Sequence, residues 1–157
     1  MSEEHVAVQK LKEAFPEAAQ EVVTFRGETT VVVPKEDLLP VGRFLRDEPD
    51  LAFDFLSLVC AVDYLPREPR FEMVYQLYSI KYRHRLRVKT RLHSEDATVE
   101  SVTSIWPTAN WHEREAYDLM GIQFQNHPDL RRILLPVDWK GHPLRKDYPL
   151  RGPDRPA

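Results

Sequence analysis

The eleven residues WHEREAYDLMG, Trp111 to Gly121, hold three acids, an arginine, a histidine and two aromatics. At roughly 100° per residue of an α-helix, Trp111, Glu115, Asp118 and Ile122 share a face, with Arg114 beside it. Two carboxylates three positions apart could ligate a divalent metal, with His112 as a further ligand, or divide acid and base roles. That chemistry would make the chain a metal-dependent hydrolase. The zinc-protease pattern H-E-x-x-H, however, needs a second histidine, and Ala116 occupies that position. Arg114 also lies four residues before Asp118, the spacing at which a guanidinium neutralises a carboxylate through paired hydrogen bonds. A structural charge cluster is therefore favoured over an active site.

The stretch carries its own boundaries. Asn110 is a good N-cap and Glu113, three residues on, completes a capping box. Gly121 supplies the left-handed residue that ends many helices. A helix over Trp111–Met120 is expected. Upstream, Glu3 to Phe15 reads as an amphipathic helix ended by Pro16. EVVTFRGETTVVV reads as two strands turning at Arg26-Gly27-Glu28, and Lys35 to Asp47 as a second helix. Three strands follow: FDFLSLVCAVDYL, apolar nearly throughout and expected at the sheet centre, then RFEMVYQLYSI and HRLRVKTRL. The last alternates cleanly, with Leu86, Val88, Thr90 and Leu92 on one face and Arg85, Arg87, Lys89 and Arg91 on the other. Ala97 to Trp106 reads as a third helix ended by Pro107. The predicted fold class is α+β: a mainly antiparallel sheet packed with helices over residues 1–121, then a long extended Pro-rich C-terminal arm over 122–157.

That arm holds six of the thirteen prolines from Asn126 onward, together with seven arginines or lysines. Repeated proline forbids a continuous helix or a central strand. Leu130, Ile133, Leu134, Leu135, Trp139, Leu144 and Tyr148 nonetheless want burial, so an extended segment lying on a partner surface accounts for both. His127 and His142 fall in this arm, where a backbone or interface role outweighs metal ligation.

Composition narrows the rest. With 157 residues, 42% hydrophobic and 30% charged, the chain suits one folded domain. A net charge of −3 gives no footprint for a nucleic-acid binder. The basic face of HRLRVKTRL lacks the alternating aromatics that stack bases, so a paired or solvated face, or an acidic protein partner, is favoured there. Cys60, the lone cysteine, excludes an internal disulfide or a cluster held by this chain alone, and its apolar strand predicts a buried, inert thiol. The five scattered glycines form no phosphate-cradling loop, no serine sits in a nucleophile elbow, and no stretch approaches the roughly 20 apolar residues of a membrane span.

The C-terminal third resembles the thirty-kilodalton-type (C-type) subunit family of the proton-translocating NADH–quinone oxidoreductase (respiratory complex I). The family's E-R-E-x-x-D-x-x-G stretch matches Glu113, Arg114, Glu115, Asp118 and Gly121, with Trp111 just before it. Its H-P-x-L-x-R-I-L-x-P run matches His127 through Pro136, including Pro128, Arg131 and Arg132. Its G-x-P-L-R-K-D-[FY] ending, shortly after Trp139, matches Gly141, Pro143, Arg145, Lys146, Asp147 and Tyr148. Asn126, where many members have glycine, and Met120, where many have a larger aromatic, depart mildly. The resemblance implies a compact α+β domain whose arm runs over the forty-nine-kilodalton (D-type) subunit, beside the iron–sulfur subunit that hands electrons to quinone. It implies no cofactor in this chain, FMN, iron–sulfur clusters and quinone being held elsewhere in the complex. It further implies a peripheral place on the cytoplasmic side of the bacterial inner membrane, reached only through partner subunits. The equivalent subunit of a membrane-bound hydrogenase or ferredoxin-linked complex is the alternative parent. On this reading the charged residues of WHEREAYDLMG fix the helix and the start of the arm, or bond the partner directly, with Trp111 and Trp139 as anchors.

Overall fold

A computed structural model describes residues 5–152. The expected start of the first helix, at Glu3, lies outside them. The elements run in chain order α1 (Val6–Ala14), β1 (Glu21–Phe25), β2 (Glu28–Val32), α2 (Leu38–Asp47, entered through a 3₁₀ turn over Lys35–Asp37), β3 (Phe55–Asp63), β4 (Phe71–Ser79), β5 (His84–Leu92), β6 (Thr98–Glu100), α3 (Ala109–Met120) and β7 (Gln123–Gln125). The fold is α+β with a mixed sheet. Five strands lie in the order β1-β2-β5-β4-β3, antiparallel throughout except where β2 runs parallel to β5. A second, two-stranded sheet pairs β6 with β7 in parallel.

The alternation in β5 sets the two faces. Leu86, Val88, Thr90 and Leu92 are buried, and with Phe71, Met73, Tyr75 and Leu77 of β4 they form the floor of one core. Leu11 of α1 and Val41 and Leu45 of α2 pack into that core. Gly42 lets α2 approach closely, because a Cβ there would stand 2.8 Å from Ile105 Cδ1. Trp106, buried against α2, donates its indole N–H to the Phe53 carbonyl at 2.9 Å. Pro40 is tolerated because it falls in the first turn of α2, where its missing N–H has no helical acceptor.

The opposite face of β5 is paired across strands. Arg87 meets Glu28, Arg91 meets Glu21, and Lys89 meets Glu72. An acidic partner is thus not needed to explain these cations.

Three expectations fail here for identifiable reasons. The apolar strand β3 is an edge, not the centre. Its outward residues Phe55 and Leu58 stay partly exposed, and helix α3 packs along it. Cys60 accordingly lies exposed rather than buried. Partial desolvation still raises its thiol pKa, against an opposing pull from Arg87. The stretch Ala97–Trp106 is not a helix. Its helix-like spacing of Val99, Val102, Ile105 and Trp106, all buried, is satisfied by strand β6 followed by turns. β-branched Thr98 and Val99 suit the strand, and Ser101 and Val102 are drawn to α3.

Candidate functional site

Helix α3 ends at Gly121, whose φ of +73° is the left-handed conformation glycine takes without strain. The helix starts earlier than expected, at Ala109. Asn110 is no N-cap and Glu113 forms no capping box. The Glu113 carboxylate, fully buried, instead accepts from the Val102 N–H at 2.8 Å and the Ser101 hydroxyl at 2.7 Å. These bonds fasten the β6–α3 connection to the helix. Desolvation dominates, and with no cation bonded to it the Glu113 carboxyl is pushed up to about 7. His127, just beyond β7, closes the same pocket with its Nε2 3.9 Å from Glu113 Oε2. Its Nδ1 accepts from the Asp129 N–H, so Nε2 carries the proton and donates to the Asn110 carbonyl at 3.2 Å.

Arg114 does not pair with Asp118. Its Nε and Nη2 donate to the carbonyls of Arg131 and Arg132, at 3.1 and 3.0 Å. The cation that meets Asp118 is Arg132, at 2.8 Å. Asp118 also accepts from three successive backbone N–H groups, those of Ile133, Leu134 and Leu135, at 3.1, 2.8 and 2.9 Å. Desolvation of this fully buried carboxylate works to raise its pKa, but Arg132 and the three amides outweigh it and the net shift is downward. Arg132 in turn bonds the carbonyls of Trp139 and Gly141, both at 2.9 Å. Two charges of α3 thereby organise a segment, residues 126–152, that contains no helix or strand.

The rest of that segment is fixed through backbone atoms. The Leu144 N–H donates to the Leu119 carbonyl, the His142 Nδ1–H to the Asp118 carbonyl, and Arg145 Nε to the Met120 carbonyl at 2.7 Å. Arg145 also lies over the Phe71 ring. A Cβ on Gly121 would come within 2.6 Å of both Arg145 and His142, so glycine is required there for close approach as well as for its φ. Farther along, Asp147 pairs with Arg70 at 2.8 Å, and the Lys146 N–H donates to Asp63, itself held bidentately by buried Arg70. Arg70 keeps the Asp63 carboxyl well below the usual carboxylate range.

The expected residues thus divide. Glu113 and His127 meet in one pocket. Arg114, Asp118, Gly121, Arg132 and Arg145 join the contacts between α3 and the C-terminal segment, with Gly141 taking part through its carbonyl. Asp147 joins the Arg70–Asp63 group. Lys146 joins through its backbone only. Tyr148 packs on Gly141, and Arg131 pairs with Asp129. Trp111, Glu115, Pro128 and Trp139 are exposed and Pro143 is half-buried. Glu115 and Asp118 do not act as a pair, and among the described residues no three His, Cys, Asp or Glu side chains gather as metal ligands. Ser101, Asp63 and Arg70 were not anticipated. Asp63 and Arg70 flank a proline-containing turn between two strands, a place where opposite charges seven residues apart face each other.

This α+β fold recurs in respiratory membrane complexes. A solved trypsin-resistant fragment of Nqo5 shares 31% identity and a TM-score of 0.67, covering 80% of this chain and all of that one. A chain of an archaeal membrane-bound sulfane sulfur reductase shares 27% identity and a TM-score of 0.74, over 91% of this chain and 84% of that one. In sequence, residues 31–154 match the family described as the respiratory-chain NADH dehydrogenase 30 Kd subunit. The C-type subunit of the NADH-quinone oxidoreductase of Geotalea uraniireducens is 55% identical over 99% of this chain and 93% of its own length, and that of Geobacter sulfurreducens 53% over 99% and 95%. The chain belongs to this 30 Kd family. It is accordingly a subunit of complex I, the respiratory NADH–quinone oxidoreductase.

Proposed function

We propose that this chain is a non-catalytic member of the complex's hydrophilic arm and stabilises its quinone-reducing module. On this reading residues 1–121 form the body and 122–157 the docking arm, with 122–125 lent back to the body through β7. The arm lies on the D-type subunit beside the iron–sulfur subunit. The chain holds no cofactor of its own, FMN, iron–sulfur clusters and quinone belonging to its neighbours. It sits peripherally on the cytoplasmic side of the bacterial inner membrane, attached through partner subunits. Among the described residues no helix is long and apolar enough to cross a membrane.

One observation carries the proposal. The C-terminal segment turns Arg132, Arg145 and several main-chain groups inward, onto α3 and Asp63, and leaves several of its large apolar side chains outward. Leu134, Val137 and Leu144 are 64%, 86% and 60% exposed, and Trp111 on α3 is 63% exposed. Such a concentration of exposed apolar surface marks an interaction site, and large aromatics are the usual energetic centres of one. The charges of α3 serve the segment's shape rather than bonding the partner.

Replacing Trp111 and Trp139 together by alanine is expected to deplete this chain from the purified complex while leaving turnover normal in the complexes that form. A variant complex with its full set of subunits and no turnover would refute the accessory role. The proteins recovered with this chain from solubilised membranes identify the neighbours on which the arm docks.

A further inference from the structure

We infer that Lys140, Lys146 and Arg151 form a cationic rim that docks on carboxylates of a neighbouring protein subunit, steering the C-terminal segment into place. This rests on the docking reading above and adds its electrostatics. Charge is segregated along the chain. Residues 1–121 hold fifteen lysines and arginines against twenty-one acids, whereas 122–157 hold seven against four. Three of the six lysines and arginines of the described segment are already engaged: Arg131 with Asp129, Arg132 with Asp118, Arg145 with the Met120 carbonyl. Lys140, Lys146 and Arg151 are exposed, and none has an ion-pair partner among the described residues.

The fold brings the three together. Tyr148 packs on Gly141 so closely that a Cβ there would lie 2.9 Å from its ring, and its hydroxyl stands 4.0 Å from the corresponding point on Gly152. Lys140 and Arg151 directly adjoin those two glycines in the chain, which brings their backbones to the two ends of Tyr148, and Lys146 precedes it by two residues with its backbone N–H fixed on Asp63. The nearby Asp147 shares Arg70 with Asp63, which leaves that trio one negative charge in excess. Lys140, Lys146, Arg151 and Arg145, set against that charge and Asp138, still leave an excess of two positive charges.

Each cation also sits within two residues of an exposed apolar side chain: Trp139, Leu144 or Leu150. Apolar anchors edged by charge are the anatomy of a protein–protein interface. A segment that instead lay on lipid headgroups would be expected to present its apolar face from an amphipathic helix, and 126–152 has none.

The test uses the detergent-purified complex. Retention of this chain is followed against rising NaCl for the wild type, for the reversal K140E/K146E/R151E, for the neutral set K140Q/K146Q/R151Q, and for W139A. Released protein is then re-added to measure its rate of return. The expected result is release of the reversed variant at lower salt and return slowed by about tenfold or more. The neutral set should fall between it and the wild type, with a flatter salt dependence. W139A should be released more readily at every salt concentration, its salt dependence unchanged. If both charge variants behave as wild type while W139A is lost, the rim is overturned and the docking reading survives. If none of the variants is released, both fail. An effect of charge reversal that appears only after phosphatidylglycerol is added back would assign the cluster to headgroups and overturn the proposal.

Discussion

The two ends of α3 bury a carboxylate each, five residues apart, and treat them in opposite ways. At the start, Glu113 meets one amide, one hydroxyl and no bonded cation, and its carboxyl is raised to about 7. At the end, Asp118 meets three amides and a guanidinium, and its carboxyl is lowered. Burial is complete for both. The partners decide the charge state, and the partners of Asp118 all come from the C-terminal segment. The first site stabilises the body's own connection. The second makes the segment's shape depend on a charge.

The largest way to break this contrast is Asp118→Ala. It strands Arg132 and three amides at once, with an expected loss of about 3–5 kcal/mol, read by urea denaturation of the isolated chain or by its loss from the complex. Charge reversal at Arg114 should cost somewhat less, roughly 2–3 kcal/mol, because it sets a carboxylate against the Arg131 and Arg132 carbonyls while leaving the Asp118–Arg132 pair formed. An R114E protein in which the Arg132 contacts are also lost would contradict that independence.

Glu113→Gln sharpens the other side. Because the folded protein holds the Glu113 proton more tightly than the unfolded chain, its contribution is complete below 4.5 and lost as pH rises towards about 7. The glutamine variant should abolish that slope and be more stable at pH 8 by about 1–2 kcal/mol. A pH-stability profile identical to wild type would rule this out. The Asp63 end has the opposite sign. Its depressed carboxyl stabilises at neutral pH and loses that contribution only in strong acid, so the Lys146–Asp63 attachment should outlast the Glu113 pocket's alkaline weakening. The smallest expected change is Trp111→Ala, within about 0.5 kcal/mol for the free protein. Its cost should surface only in assembly.

Elements whose pattern depended on one strand or one helix were legible in the sequence. The faces of β5, the stop at Gly121 and the turn at Arg26-Gly27 follow from local period and backbone freedom. Partnerships across the chain were not. Arg114 and Asp118 stand at the right spacing for each other, yet each found better partners beyond residue 130, because main-chain carbonyls and amides leave no trace in residue identity. β3 read as central because its composition is that of a doubly covered strand. The helix that packs along its edge lies some fifty residues later. The 97–106 stretch shows the same limit: the period of its apolar residues was right, and the geometry that satisfies it was not helical.

The Asp118 cradle also bears on how the chain is made. A ribosome delivers α3 before it delivers residues 131–135, so for an interval of synthesis the helix carries a carboxylate and a guanidinium whose partners do not yet exist. The contacts that pair these two charges close only once that later stretch has emerged. A product ending between Gly121 and Arg131 would therefore carry α3 with Arg114 and Asp118 lacking the partners that the full chain gives them.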